Sequence, residues 1–421
     1  MSENTLLNNE RLSVAATPPY DPLQSFVREN HIALEGSGKG KLANLTFAAK
    51  DVFAIQGSTY ANGHPKWLET HEPDTFTASA ITKLLESGAD LVGKTVCDEL
   101  CFSISGENWH YGSPLNPHDV RRYAGGSSSG TAAATAGGLV DFAIGSDCLG
   151  SVRVPAAYNG VFGMRPTYER VANDGEAPYC ASMDVLGYVA KDVNVFVKIS
   201  EVLLGEDKRE VEFKRLYIAR DCFDTVDPEV RDALMPVVDQ VCRNLEQSKE
   251  VDVASDGLES WVEVFRYVQG YEVWQSYGGW INKYRPFINR GPKERLEWAA
   301  QISHQEYAKA EAKRQELIAY FRDFLADDTV LVLPTAASIA PLRTASLEEI
   351  NRTRSQSSSL LCISPLTGAP QVTVPFATLQ GMPLGLSFIS AEGTDMELVR
   401  FVGRMASHYR EELFAMSHKI D

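Results

Sequence analysis

The order of apolar runs predicts an α/β fold with a layered sheet. Helix-like and strand-like segments alternate from about residue 42 to 165, a long charged helical stretch runs from 205 to 330, and strand-like runs return after it. Strands on both sides of the helical stretch favour one sheet with an excursion. Residues 1–421 therefore read as a single domain: an N-terminal arm (1–30), a core (42–200), a helical excursion (205–330) and a C-terminal part of the sheet (330–421).

The arm is polar, and Gly36-Ser37-Gly38-Lys39-Gly40 reads as a flexible loop. The fold proper begins near Leu42, and Leu45 to Asp51 is an apolar strand carrying Lys50. Thr77 can cap a helix with Ile81, Leu84 and Leu85 on one face, stopping at Gly88 before a short buried strand at Leu91 to Gly93. An alanine-rich helix at Thr131 to Ala136 precedes a strand-like run at Leu139 to Ile144. In the excursion Ser303 and Glu306 form a capping box opening a helix through Tyr320 to Phe324. Tyr271, Trp274, Tyr277 and Trp280 either wall a cleft or pack into the core at helical spacing. Val330 to Leu333, Gln371 to Pro375 and Leu384 to Ile389 are strand-like, and Thr394 with Glu397 caps a last helix bearing Leu398, Val402 and Met405.

Composition narrows the function classes. At 44% hydrophobic and 23% charged residues the chain is an ordinary soluble globular protein. A net charge of -16 argues against nucleic acid as partner, since no basic surface is there to release counterions. No apolar run approaches the ~20 residues of a membrane helix, and Met1 to Arg11 does not read as a secretory signal. Seven cysteines without metal-type pairing point to a reducing, cytoplasmic compartment, with Cys97 and Cys101 as packing residues. The oligomeric state stays open, a homodimer being one arrangement the sequence permits.

Three stretches carry chemistry: Lys50, the loop Gly125-Gly126-Ser127-Ser128-Ser129-Gly130, and the turn Gly145 to Arg153. They offer a buried amine, loop hydroxyls and a nucleophile on a glycine-rich turn, which acyl transfer without histidine requires. Ser127 and Ser151 bracket the alanine-rich helix and the following strand, a hairpin that can return both hydroxyls to one cleft. Burial among Phe47, Ala48, Ala49, Val52 and Phe53 would favour an uncharged Lys50. Lowering its pKa from ~10.4 to ~7 corresponds to roughly 4.6 kcal/mol. The competing reading is a surface ion pair from Lys50 to Asp51.

Two other motifs compete. Gly88 to Thr95 matches the phosphate-binding loop in letters, but a helix precedes it and Leu91-Val92 sits where the loop should be. Gly126-Ser127-Ser128-Ser129-Gly130 matches a nucleophile elbow centred on Ser128, yet polar, proline-bearing residues 116–123 replace the strand it needs. His304, His408 and His418 lie in charged, helix-like surroundings that suit solvated side chains.

The chain resembles the amidase signature family along most of its length. The resemblance rests on Gly93-Lys94-Thr95 with Asp98-Glu99, Tyr111-Gly112 with Asn116-Pro117, the Gly-Gly-Ser-Ser loop and Val152-Arg153-Val154-Pro155-Ala156-Ala157. It continues through Gly163 to Tyr168, Ser182-Met183-Asp184, Gly187, Leu333-Pro334-Thr335, Gly368-Ala369-Pro370 and Gly381 to Gly385. Ser105 to Asn108 and His110-Tyr111-Gly112 look most like the compact plant-type indole-3-acetamide hydrolases and their bacterial relatives.

The resemblance implies a large mixed, twisted sheet covered on both sides by helices, and hydrolysis of a small carboxylic amide, such as an aryl-acetamide, with no metal or organic cofactor. It assigns Lys50 as base, Ser127 as relay after a cis peptide bond, and Ser151 as nucleophile. The amides of Cys148, Leu149, Gly150 and Ser151 would form the oxyanion hole, and Ser128, Ser129, Asp147 and Arg153 would support the loop and turn. Glu107, Asn108 and Trp109 are candidates for the pocket rim. Cys148 and Leu149 depart from the family's Thr-Gly, and a leucine at a glycine position either strains the turn or narrows the acyl pocket. The same fold also serves as a non-catalytic scaffold in a chloroplast import component and as an amidotransferase subunit, which are the rival readings.

Overall fold

Ten strands join in one mixed sheet: β1 (Thr46–Lys50), β2 (Asp90–Thr95), β3 (Phe142–Asp147), β4 (Phe162–Arg165), β5 (Val185–Ala190), β6 (Arg215–Ala219), β7 (Gln247–Val251), β8 (Thr329–Pro334), β9 (Gln371–Leu379) and β10 (Met382–Ile389). The computed structural model describes residues 19–102 and 104–417, with side chains to residue 407. Residues 1–18 of the expected arm, His418 and the His408 side chain lie outside the described residues. The strand order is β2-β1-β3-β5-β4-β9-β10-β8-β6-β7. The flanks β2-β1-β3 and β8-β6-β7 are parallel, and the centre is antiparallel.

Strands β3, β4, β5, β8 and β10 are buried at every position, and β3, β8 and β10 accordingly read largely as apolar runs rather than alternating ones. The helix Arg153–Asn159 packs on β9 and β10, and Ser129–Ala136 packs on β1 and β3. That second helix is buried on all sides, and its glycine, alanines, serine and threonines are small enough to let the backbones approach.

Four sequence expectations change. Thr77 does not cap the helix Ser79–Glu86; its hydroxyl accepts from the Gln56 N–H at 3.1 Å, while Asp174 accepts from the Ser79 N–H at 3.2 Å. Thr394 likewise turns its hydroxyl to Ser390 and Ala391. Asp207 receives the Met396 and Glu397 N–H groups at the start of Asp395–Ser417 instead. The end of the arm is already part of the fold, for Phe26 bridges Thr95, and Leu34 beyond the arm bridges Leu91 along β2. The excursion is not wholly helical, because β6 and β7 extend the sheet beyond β8. The Ser303 capping box is present as expected.

Candidate active site

Lys50 ends β1, and β3 runs parallel beside it with Ala49 opposite Ile144. This register brings Ser146 next to the lysine. The buried Lys50 Nζ donates to Ser127 Oγ and to Ser146 Oγ, each at 2.8 Å. The surface ion pair to Asp51 is not made; Asp51 faces the buried Lys94 at 3.1 Å. Lys94 is thus held at the end of a strand that follows a helix, and the phosphate-loop reading has no loop.

The Gly126-Ser127 peptide is cis. The next residue ties the two serine segments together: the Ser128 N–H donates to the Ser151 carbonyl at 3.0 Å, and its hydroxyl reaches the Ser146 carbonyl at 3.3 Å. Ser129 opens the helix Ser129–Ala136 and bonds the Val96 carbonyl at 3.3 Å. Ser151 sits between β3 and the helix Arg153–Asn159, largely buried but open to a cavity. Among the described residues no hydrogen bond ends on its hydroxyl.

Asp147 shapes that turn. Its carboxylate accepts the N–H groups of Gly150 (2.8 Å), Val152 (2.9 Å) and Arg153 (3.1 Å), and both Nε and Nη2 of the Arg153 side chain. Arg165 adds bonds to the Asp147 backbone carbonyl and carboxylate. Burial alone would raise the Asp147 pKa, but the two guanidinium groups and the turn amides outweigh it and hold the carboxyl well below its usual range. Gly150 has φ 104°, and a Cβ there would meet the Leu361 side chain at 2.7 Å, so glycine is required. Because its N–H is taken by Asp147, Gly150 leaves the expected oxyanion hole. The amides of Cys148, Leu149 and Ser151 have no acceptor among the described residues. Leu149 is absent from the positive-φ positions, so the turn is unstrained there. Its side chain lines the cavity.

The electrostatics of Lys50 run against the sequence expectation. Burial alone would lower its pKa, but Cys101, Cys97, Glu176 and Asp184 surround it and together raise it. Its neighbourhood is not apolar, because strand neighbours say nothing about what loops bring over the strand end. The Cys101 thiol is pulled down to about 6 by a hydrogen bond from Cys97 and by the Lys50 charge, against its own burial. Burial pushes the Asp184 carboxyl up to about 7 and also raises its neighbour Glu176 well above the usual carboxylate range. Cys97 stays a buried packing residue, whereas Cys101 faces the cavity.

A cavity of about 330 Å³ opens beside Ser151, with Phe102, Leu149, Tyr179, Phe265 and Trp298 on its walls. The helix Leu258–Tyr284 does cover it, but with Val262, Phe265 and Gln269 rather than the expected aromatics. Tyr277 bonds buried Asn62, Trp280 bonds Thr70, Tyr271 stacks on Tyr307, and Trp274 lies on Gly278. Glu107, Asn108 and Trp109 are not among the lining residues. Asn108 is consumed as a turn lock between Gly63, Cys97, His110 and Tyr111; Glu107 accepts from Tyr123; Trp109 is exposed beside Phe287.

His64, Glu99 and His110 have the spacing of a metal trio. Their atoms are already paired. His64 Nδ1 accepts from the Lys66 N–H, which leaves its other nitrogen to donate to the Phe287 carbonyl at 2.9 Å. Glu99 takes His110 at 2.8 Å and the Asn289 N–H at 3.0 Å. This donor set fits a hydrogen-bonded brace better than an ion.

The fold and the similar proteins place this chain among the amide hydrolases. The chain belongs to the amidase family, whose model, Amidase, matches residues 27–263. It is 33% identical over 401 residues to Amidase 1 of Arabidopsis thaliana, covering 88% of this chain and 94% of that protein. It is 34% identical to the chloroplastic Outer envelope protein 64 of the same plant, covering 88% of this chain and 67% of that one. A crystal structure of an amidase superposes with TM-score 0.78 at 28% identity, covering 88% of this chain and 85% of its own.

Proposed function

We propose that this amidase works through an acyl-enzyme on Ser151. The observation that carries the reading is the buried Lys50 Nζ at 2.8 Å from Ser127 Oγ, with Ser128 next in the chain bonded to the Ser151 carbonyl. Uncharged Lys50 takes a proton from Ser127 as Ser127 takes one from Ser151, whose oxygen attacks the amide carbon. The amides of Cys148, Leu149 and Ser151 stabilise the oxyanion. The relay returns the proton to the leaving nitrogen and ammonia departs. Water activated by the same relay then frees the acid.

The anionic surroundings of Lys50 favour its charged form, so activity grows towards alkaline pH. The apolar and aromatic walls support an aryl-acetamide as substrate. All seven cysteines are free thiols, which supports a reducing, cytoplasmic setting, and one continuous sheet supports a single domain. Among the described residues no helix is long and apolar enough to cross a membrane. The test is ammonia release from phenylacetamide and indole-3-acetamide. Turnover that Ser151→Ala abolishes is expected; equal turnover in that variant contradicts the mechanism, and no turnover of any amide favours the scaffold.

A further inference from the structure

The wall of the cavity beside Ser151 carries three arginines from three helices: Arg266 in Leu258–Tyr284, Arg295 in Arg290–Ala299 and Arg354 in Leu347–Leu361. Among the described residues none of them is in an ion pair. Arg295 donates to the Phe102 carbonyl and lies 5.9 Å from the centre of that ring. Arg354 donates to Asn351 Oδ1 at 2.7 Å, and Arg266 stands 4.9 Å over Trp298. Glu107 acts on Arg295 and Arg354, and Asp98 on Arg295, only from beyond ion-pair distance. Glu107 already accepts from Tyr123 at 2.9 Å, and Asp98 from the Gly106 N–H at 3.0 Å.

Converging cations in a partly buried space repel one another and are poorly hydrated. Burial and Arg354 push Arg295 down to about 10, and burial and Arg266 push Arg354 down as well. A purely structural role accounts for Arg295, which holds the Phe102 carbonyl. It does not account for Arg354 and Arg266, whose partners are one exposed amide and a ring face. A planar guanidinium matches a carboxylate with two parallel hydrogen bonds, and such a guest would relieve the repulsion.

We propose that the substrate is an anion: an amide whose acyl chain ends in a carboxylate, which Arg266, Arg295 and Arg354 receive while the amide faces Ser151. This rests on the amidase reading above and narrows it.

The test compares two matched pairs in which a carboxylate is replaced by a neutral acetyl group: succinamate against levulinamide, and para-carboxyphenylacetamide against para-acetylphenylacetamide. Charge-assisted bonds of ~1.5–3 kcal/mol correspond to about 10- to 100-fold. We expect the anion to be favoured by that factor in kcat/KM in at least one pair, and Arg354→Gln and Arg266→Gln each to reduce the ratio. Arg266 is exposed, so its replacement reads the effect without threatening the fold. Neutral members hydrolysed as well as the anions, or ratios unchanged in both variants, overturn the inference and leave the amidase standing. Calorimetric titration of the Ser151→Ala protein with the same four compounds reads the preference without turnover. Equal affinities there overturn the inference even if the mechanism fails.

Discussion

Two sets of arginines are treated in opposite ways. Arg153 and Arg165 are fully buried, and both guanidinium groups bond the Asp147 carboxylate and surrounding carbonyls. Arg266, Arg295 and Arg354 line the cavity and, among the described residues, form no ion pair. The first set builds the nucleophile turn, since Asp147 can orient the Gly150, Val152 and Arg153 amides only while its charge is held in place. In the second set Arg295 also holds the Phe102 carbonyl, whereas Arg266 and Arg354 are left poised for a charge that arrives from outside. Pairing thus separates arginines that make the site from arginines that read its guest.

The comparison can be broken at several points. Largest is the chemistry itself: Ser151→Ala should lower kcat about 10,000-fold or more, measured by ammonia release. A residual rate within about tenfold of the parent would place the nucleophile elsewhere. Next, Arg153→Met removes two of the six hydrogen bonds to the buried Asp147 carboxylate, both charge-assisted, and should cost roughly 3–5 kcal/mol in urea unfolding. A loss below ~1 kcal/mol would mean that the cluster does not hold the turn. The same cluster gives a pH dependence. Because the folded Asp147 pKa lies below its unfolded value of ~3.9, its contribution is complete above that pH and declines as pH falls through it.

Smaller in size is the effect of Cys101→Ala. Removing an anion beside Lys50 lowers the lysine's pKa, so the alkaline limb of kcat/KM should move to lower pH. An unmoved limb would show that Cys101 does not set the base. Smallest is Arg266→Gln, which should change unfolding free energy by less than about 0.5 kcal/mol, in contrast to Arg153. A loss comparable to that of Arg153→Met would erase the distinction between the two sets.

What could be read from the sequence follows the range of the interactions. Buried strands such as β3 and β8 announce themselves as apolar runs, and Lys50, the serine loop and the turn were found because each carries its glycines and hydroxyls locally. Strand β7 was missed because Gln247–Val251 lies at the sheet edge and is mostly exposed, which leaves no apolar pattern. The two helix starts are not legible locally, because Asp174 and Asp207 do the capping from distant segments although Thr77 and Thr394 stand at suitable positions. Ser146 could have been found from the parallel pairing of β1 with β3. The charge state of Lys50 could not, since Cys101, Glu176 and Asp184 converge on it from segments distant in sequence. The arginine wall was equally hidden, being assembled from three helices of otherwise unremarkable charge.

The most direct test of the central claim is intact-mass labelling by a fluorophosphonate probe on the parent chain, Ser151→Ala and Lys50→Ala. A single adduct on the parent that both variants lose is predicted, because only a serine activated through the lysine reacts. No adduct on the parent, or one that survives Ser151→Ala, would contradict the lysine–serine mechanism.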